Sequence, residues 1–126
     1  VGIGQVRFDT AKMLEDKGYV KKTRTRYGRW IRLMMPKTNL IYVAAYAKYL
    51  QDEWENAFPE IVGRPDIIGT LYAGAGNSIP HANPQSNQFG RMVMKNMYRM
   101  QEILGVDIGS YYIDRESGKR VEILLS

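Results

Sequence analysis

The chain has 126 residues, 44% of them hydrophobic and 25% charged, with 18 Lys and Arg against 13 Asp and Glu. That length and balance fit one globular domain with its own core, and the net charge of +5 favours polyanionic partners without selecting among them. No cysteine is present, which excludes disulfides and thiolate metal sites; the single histidine, His81, excludes His-based triads and multi-histidine metal centres; no apolar run is long enough to span a membrane.

The first segment, VGIGQV, sets Gly2 and Gly4 just before Gln5, a pattern that fits close approach of the backbone to something else. Asp9 then predicts a helix cap, with the helix running to about Gly18 and Met13 and Leu14 on its apolar side. Asp9 is also the carboxylate nearest Gln5 and so a candidate for one of a glycosidase pair, although capping already accounts for it. The stretch KKTRTRYGRWIR gathers Lys21, Lys22, Arg24, Arg26, Arg29 and Arg32 around Tyr27 and Trp30. A solvated basic loop running into a helix accounts for it; base stacking on a nucleic acid and attraction to anionic wall polymers are the alternatives. RYGRWIRLMM reads as a short helix stopped by Pro36.

TNLIYVAAYAKYLQDEWENAF is the strongest periodic element. Leu40, Val43, Tyr46, Ala47, Leu50, Trp54 and Phe58 recur at helical spacing opposite Lys48, Gln51, Asp52 and Glu55, which predicts a long, central, mostly buried helix. Pro65 suits the first turn of a further helix over PDIIGTLYAG. AGAGNSIPHANPQSN is a long Gly/Pro/Asn loop in which His81, Asn83 and Asn87 suit sugar hydroxyls and amides, or equally turns. Ser86 is expected to cap the next helix, with Phe89, Met92, Val93, Met97, Met100, Ile103 and Leu104 as a stripe of core filler. SYYIDRESGKRVEILL alternates on both sides of Glu116-Ser117-Gly118 and predicts a β-hairpin over about 108–125.

Four of these segments, in order, resemble the motifs of the lysozyme-like superfamily, in particular lytic transglycosylases and goose-type lysozymes. GIGQV and the following DTAKML resemble the Gly-Leu-Met-Gln-Ile…Thr-Ala motif. PKTNLIYVAAYAKYL resembles the Asp-Pro-x-x-Asn-Ile…Tyr-Leu helix, with Asn39 and Tyr46 in the asparagine and tyrosine positions. TLYAGAG resembles Ala-Tyr-Asn-Ala-Gly-Pro-Gly, with Tyr72 on the tyrosine; the likeness covers roughly residues 1–76.

The resemblance implies a mainly α, lysozyme-like α+β fold in a single domain over 1–126. Its helical portion, about 1–104, would hold the substrate cleft, and the hairpin would follow. It implies cleavage of peptidoglycan glycan strands between N-acetylmuramic acid and N-acetylglucosamine, by a glutamic acid of raised pKa and with neither metal nor cofactor. Gln5 would bond the sugar or its acetamido group, with Gly4, Val6, Tyr72, Gly74, His81 and Asn83 completing the substrate-binding set. Tyr72 and Tyr46 would flank the acid. The family's glutamate lies well before the Gln motif, which places it upstream of Val1; Glu116, in RESG, is assigned to a turn. Gly4 replaces the family's methionine, and Ala73 follows Tyr72 where the family has asparagine. Phage tail and secretion-system effectors carry such domains to the bacterial periplasm and wall. For an antibacterial toxin, a cognate immunity protein plugging the cleft is expected. The rival readings are a non-catalytic wall-binding or scaffold module and, less favoured, a nucleic-acid binder working through KKTRTRYGRW.

Overall fold

The computed structural model describes residues 4–74, 79–104, 111–113 and 120–122. The chain is mainly helical and divides into two units, Val1–Tyr49 and Leu50–Ser126, the division falling inside its longest helix.

In the first unit, α1 spans Phe8–Asp16. Arg7 stands at its N-cap position without a side-chain cap. Asp9, expected to cap, lies instead within the first turn, where a negative charge suits the helix dipole. Its Oδ1 accepts from the Thr10 N–H at 2.9 Å and lies 3.4 Å from Arg7 Nε. The stop at Gly18 holds: with φ +83° it turns the chain so that its own N–H reaches the Glu15 carbonyl and the Tyr19 N–H reaches that of Leu14. Helix α2 (Arg26–Met34) is capped by the Thr25 hydroxyl, which accepts from the Gly28 N–H at 3.0 Å. Met35 is extended, as a residue before proline must be, and Pro36 opens α3 (Pro36–Trp54), so one residue separates the two helices. Val6, Ala11, Leu14, Leu33, Tyr42 and Ala45 are buried in this unit.

The expectation of a mostly buried α3 is corrected. Its buried residues are Asn39, Tyr42, Ala45, Leu50 and Trp54, while Leu40 and Ile41 are exposed and Val43, Tyr46 and Ala47 half-buried. Asn39 and Tyr42 each carry a polar group to a buried partner described below, and satisfying those groups turns the helix away from the stripe that apolarity alone selects.

The second unit continues from the end of α3 through a 3-10 helix (Pro59–Gly63) to α4 (Pro65–Tyr72) and α5 (Gln88–Leu104). Leu50, Trp54, Phe58, Ile61, Ile67, Leu71 and Met94 are buried in it. Helices α4 and α5 cross closely. A Cβ built on Gly90 would lie 2.0 Å from the Asp66 carbonyl oxygen and 2.2 Å from Thr70 Oγ1, so only glycine fits. Asn87, rather than Ser86, caps α5: its Oδ1 accepts from the Gly90 N–H at 2.8 Å. Asn87 also donates its N–H to Thr70 Oγ1 at 2.9 Å, and the Thr70 hydroxyl lies 3.1 Å from Asn87 Oδ1.

The glycine crossing sets the phase of α5. Gly90 and Met94 are buried and Val93 and Met97 half-buried, whereas Phe89, Met92 and Ile103 of the expected stripe are exposed. The side chains of Met100 and Leu104 lie outside the described residues. Tyr111–Ile113 and Arg120–Glu122 pair antiparallel, with Tyr111 opposite Glu122 and Ile113 opposite Arg120. The rest of the 108–125 span, Glu116-Ser117-Gly118 included, lies outside the described residues. The structure therefore bears out the helical class, and not the full hairpin.

Candidate functional site

The site residues expected at the start of the chain are positioned by α3. The buried side chain of Asn39 bridges two backbone segments: its Oδ1 accepts from the Gly4 N–H at 2.9 Å, and its Nδ2 donates to the Leu33 carbonyl at 2.8 Å. Tied at Gly4, the chain passes through Gln5 with φ 53°, a left-handed conformation that costs a non-glycine residue about 1 kcal/mol or more. Gln5 is exposed and Val6, next to it, is buried, so the segment is anchored on both sides of an outward-facing amide. Because each polar end of Asn39 satisfies a backbone group, Asn39→Ala is expected to lower stability by about 2–3 kcal/mol and to speed hydrogen exchange at Gly4. A loss under about 0.5 kcal/mol in urea unfolding would show that Asn39 does not hold the segment.

Tyr46, about one turn further along α3 than Tyr42, is half-buried and stacks on Tyr49 with ring centroids 6.3 Å apart. Tyr49 in turn meets the Tyr19 ring edge-on at 5.7 Å and lies under the Lys17 ammonium at 5.8 Å. Burial pushes the Tyr46 phenol above its ordinary range; Asp9 adds to the rise and Arg7 opposes it. The segment after Gln5 thus acts electrostatically on Tyr46, and Asn39 fastens Gly4 to α3.

At the base of this unit lies a group that the sequence reading passed over. Glu15, 1% exposed, takes the Arg29 guanidinium at 2.7 Å on Oε2 and 3.2 Å on Oε1. Oε1 also accepts the Thr23 N–H at 2.8 Å and hydroxyl at 2.7 Å, and Oε2 the Tyr42 hydroxyl at 3.0 Å. Burial alone would raise the Glu15 carboxyl, but Arg29, Thr23 and Tyr42 override it and hold it at about 2. A carboxylate so held stays ionised at neutral pH and has no proton to give a leaving group. Arg29 and Tyr42 are both shifted upward, Arg29 first by its bond to Glu15 and Tyr42 first by burial.

The Tyr42 hydroxyl also accepts from Arg32 Nη1 at 3.4 Å, and the same nitrogen donates to the Lys21 carbonyl. These groups, with Tyr19, Val20, Thr38 and Ile41, line a half-open cleft of about 370 Å³. The sequence signal for the Glu15 network was a charge on the apolar face: Glu15 falls four residues after Ala11 and beside Leu14, and Arg29 four before Leu33.

The second unit holds the other expected residues. Tyr72 is the last residue of α4 and half-buried, and Gly74 follows in a conformation of φ 128° that favours glycine. His81 is exposed, with its ring edge-on to buried Trp54 at 5.3 Å and its Nδ1 accepting the Asn83 N–H at 3.2 Å. His81 and Asn83 therefore come together as a local turn. Asp66, the other buried carboxylate among the described residues, takes both Nε and Nη2 of Arg64 at 2.9 Å. No cluster of three or more metal-ligating side chains occurs among the described residues. No helix among them is long and apolar enough to cross a membrane. No protein-family model, curated protein or solved structure matches the chain.

Proposed function

We propose that this is a lysozyme-like domain acting on the glycan strands of peptidoglycan, cutting between N-acetylmuramic acid and N-acetylglucosamine in the manner of a muramidase or lytic transglycosylase. The observation that carries the reading is the bond from the Gly4 N–H to Asn39 Oδ1. It joins, across 35 positions, two of the segments that resemble the family's motifs, and Gln5 beside it is exposed in a strained conformation. Strain of that kind persists where surrounding structure enforces it, and it concentrates at sites that need one residue held in one pose.

In this reading Gln5 bonds the sugar or its acetamido group, and Tyr46 flanks the acid and the cleaved residue. The resemblance gives the role of general acid to a glutamate that lies before the family's Gln motif. Glu15 is unsuited because Arg29 holds it ionised, and Asp9 stands in solvent against Arg7 and the Thr10 N–H. Action on the wall places the domain in the periplasm or outside the cell, and a toxin of this kind would have a cognate immunity protein.

A second reading has its own support. Both carboxylates buried among the described residues, Glu15 and Asp66, are paired with arginines, as in a glycan-binding module without an acid.

Digestion of purified peptidoglycan by this chain, and by the chain extended N-terminally in its parent protein, separates the two. Cleavage by the extended form alone supports the enzyme as assigned, cleavage by this chain by itself would place the acid among its own residues, and an anhydro-sugar product identifies a lytic transglycosylase. Glycan binding without cleavage in both leaves the binding module. In the cleaving form, Gln5→Gly is expected to keep or raise Tm, because glycine accepts φ 53° without strain, while kcat/KM falls at least about tenfold. Unchanged kcat/KM would remove Gln5 from the site.

A further inference from the structure

Nine of the chain's 18 Lys and Arg, and none of its 13 Asp and Glu, lie between residues 17 and 51. Lys17, Lys21, Lys22, Arg24, Arg26 and Lys37 of that stretch are exposed. In its middle, α2 carries Tyr27, Trp30, Ile31 and Met34 at the spacing i, i+3, i+4, i+7, which is one face of a helix. That apolar face is exposed: Tyr27 is 70% accessible, Trp30 47%, Ile31 36% and Met34 48%. The opposite face holds buried Arg29 and Leu33, so the helix is amphipathic with its inner side already occupied. Tyr27 and Trp30 stack at 6.4 Å, and Met35, Leu40 and Ile41 beyond the helix are also exposed.

We infer that this face of α2, with its rim of lysines and arginines, is a docking surface for an anionic lipid membrane, on which the helix lies in the interfacial plane. Charge complementarity selects an anionic partner, since the stretch has seven exposed cations, Lys48 being the seventh, and no acid. Apolar depth selects among anionic partners. Ile31, Met34 and Met35 add nothing to phosphate or base recognition, whereas Trp and Tyr above aliphatic side chains suit the boundary between headgroups and acyl chains. A second copy would bring like charges together. A lipid surface requires only net charge and apolar area, and this face offers both.

The test is co-sedimentation of the chain with vesicles of phosphatidylcholine alone and of phosphatidylcholine mixed with phosphatidylglycerol. Partition into the mixed vesicles only, weakened by added salt, is expected. Trp30 emission should shift to the blue over a constant background from buried Trp54. Arg24→Gln with Arg26→Gln should weaken partition about 30-fold. Ile31→Asp, at an exposed position and with Tm unchanged, should weaken it at least about tenfold and abolish the shift. Equal or absent partition into the two vesicle types overturns the inference. So does partition indifferent to Ile31→Asp, which would mark a charge-only surface for any polyanion. Binding of an acidic polypeptide as tight as that of the mixed vesicles, and equally sensitive to Ile31→Asp, overturns it in favour of a protein partner.

Discussion

Glu15→Gln is expected to destabilise the first unit by about 3–5 kcal/mol, a large part of the 5–15 kcal/mol that typically holds a domain. The substitution keeps the shape of the side chain but leaves the Arg29 guanidinium buried and without its counter-charge. Replacing both partners, Glu15→Met with Arg29→Met, should cost less than Glu15→Gln alone, because two apolar side chains leave no buried charge behind. Urea unfolding of the three proteins checks this, and a double variant less stable than the single one would refute the account. The pH dependence has a definite sign. The Glu15 carboxyl is held at about 2 in the fold against 4.5 ordinarily, so its contribution, about 3 kcal/mol, is complete above the ordinary value. It is lost as pH falls from about 5 towards 2. Asp16, also lowered, first by Lys12, titrates in the same direction but is fully exposed. The difference between wild type and Glu15→Gln isolates Glu15, and that difference should shrink as pH falls through the window. A gap constant with pH would mean that Glu15 is not held ionised by the fold.

Gly90→Ala is the second large effect, and its sign is opposite to the usual one. In an exposed helix interior, glycine to alanine stabilises by about 1 kcal/mol. Here the added carbon would meet the Asp66 carbonyl oxygen at 2.0 Å and Thr70 Oγ1 at 2.2 Å. The first of these is backbone, so α4 and α5 must separate. A loss of at least about 3 kcal/mol is expected, beyond the usual range for overpacking. Separation would also break the bonds between Thr70 and Asn87. Thermal unfolding checks it; a Tm at or above that of the wild type would mean that the helices do not cross at this glycine.

The parts of this fold that can be read from the sequence are those set by the local backbone. Gly18 ends α1, Pro36 ends α2 and Pro65 opens α4, because each restricts or permits particular dihedrals wherever it stands. The facing of helices is less legible. Leu40 and Val43 look like core beside Tyr42 until a partner for the Tyr42 hydroxyl is known, and that partner, Glu15, is 27 positions away. Phe89 and Met92 look like core until Gly90 is known to touch α4. The caps show the same limit: Ser86 and Asn87 are equally good caps by type, and Thr70 decides between them. Of the candidate site, Gln5 stands out in the sequence beside its two glycines, and its junction with Asn39 through Gly4 is a product of the fold. Glu15 was legible only as an anomaly, a charge in an apolar stripe.

The reciprocal bonds between Thr70 and Asn87 have a bearing on how this chain can change over time. They fasten the end of α4 to the start of α5, so the neck of the connection between these helices is closed by its own hydrogen bonds. Once the ends are fastened, lengthening the connection costs only about 0.6 kcal/mol for each doubling. New sequence, even an inserted segment, can therefore be tried in the connection that carries His81 and Asn83 while the two helices keep their crossing.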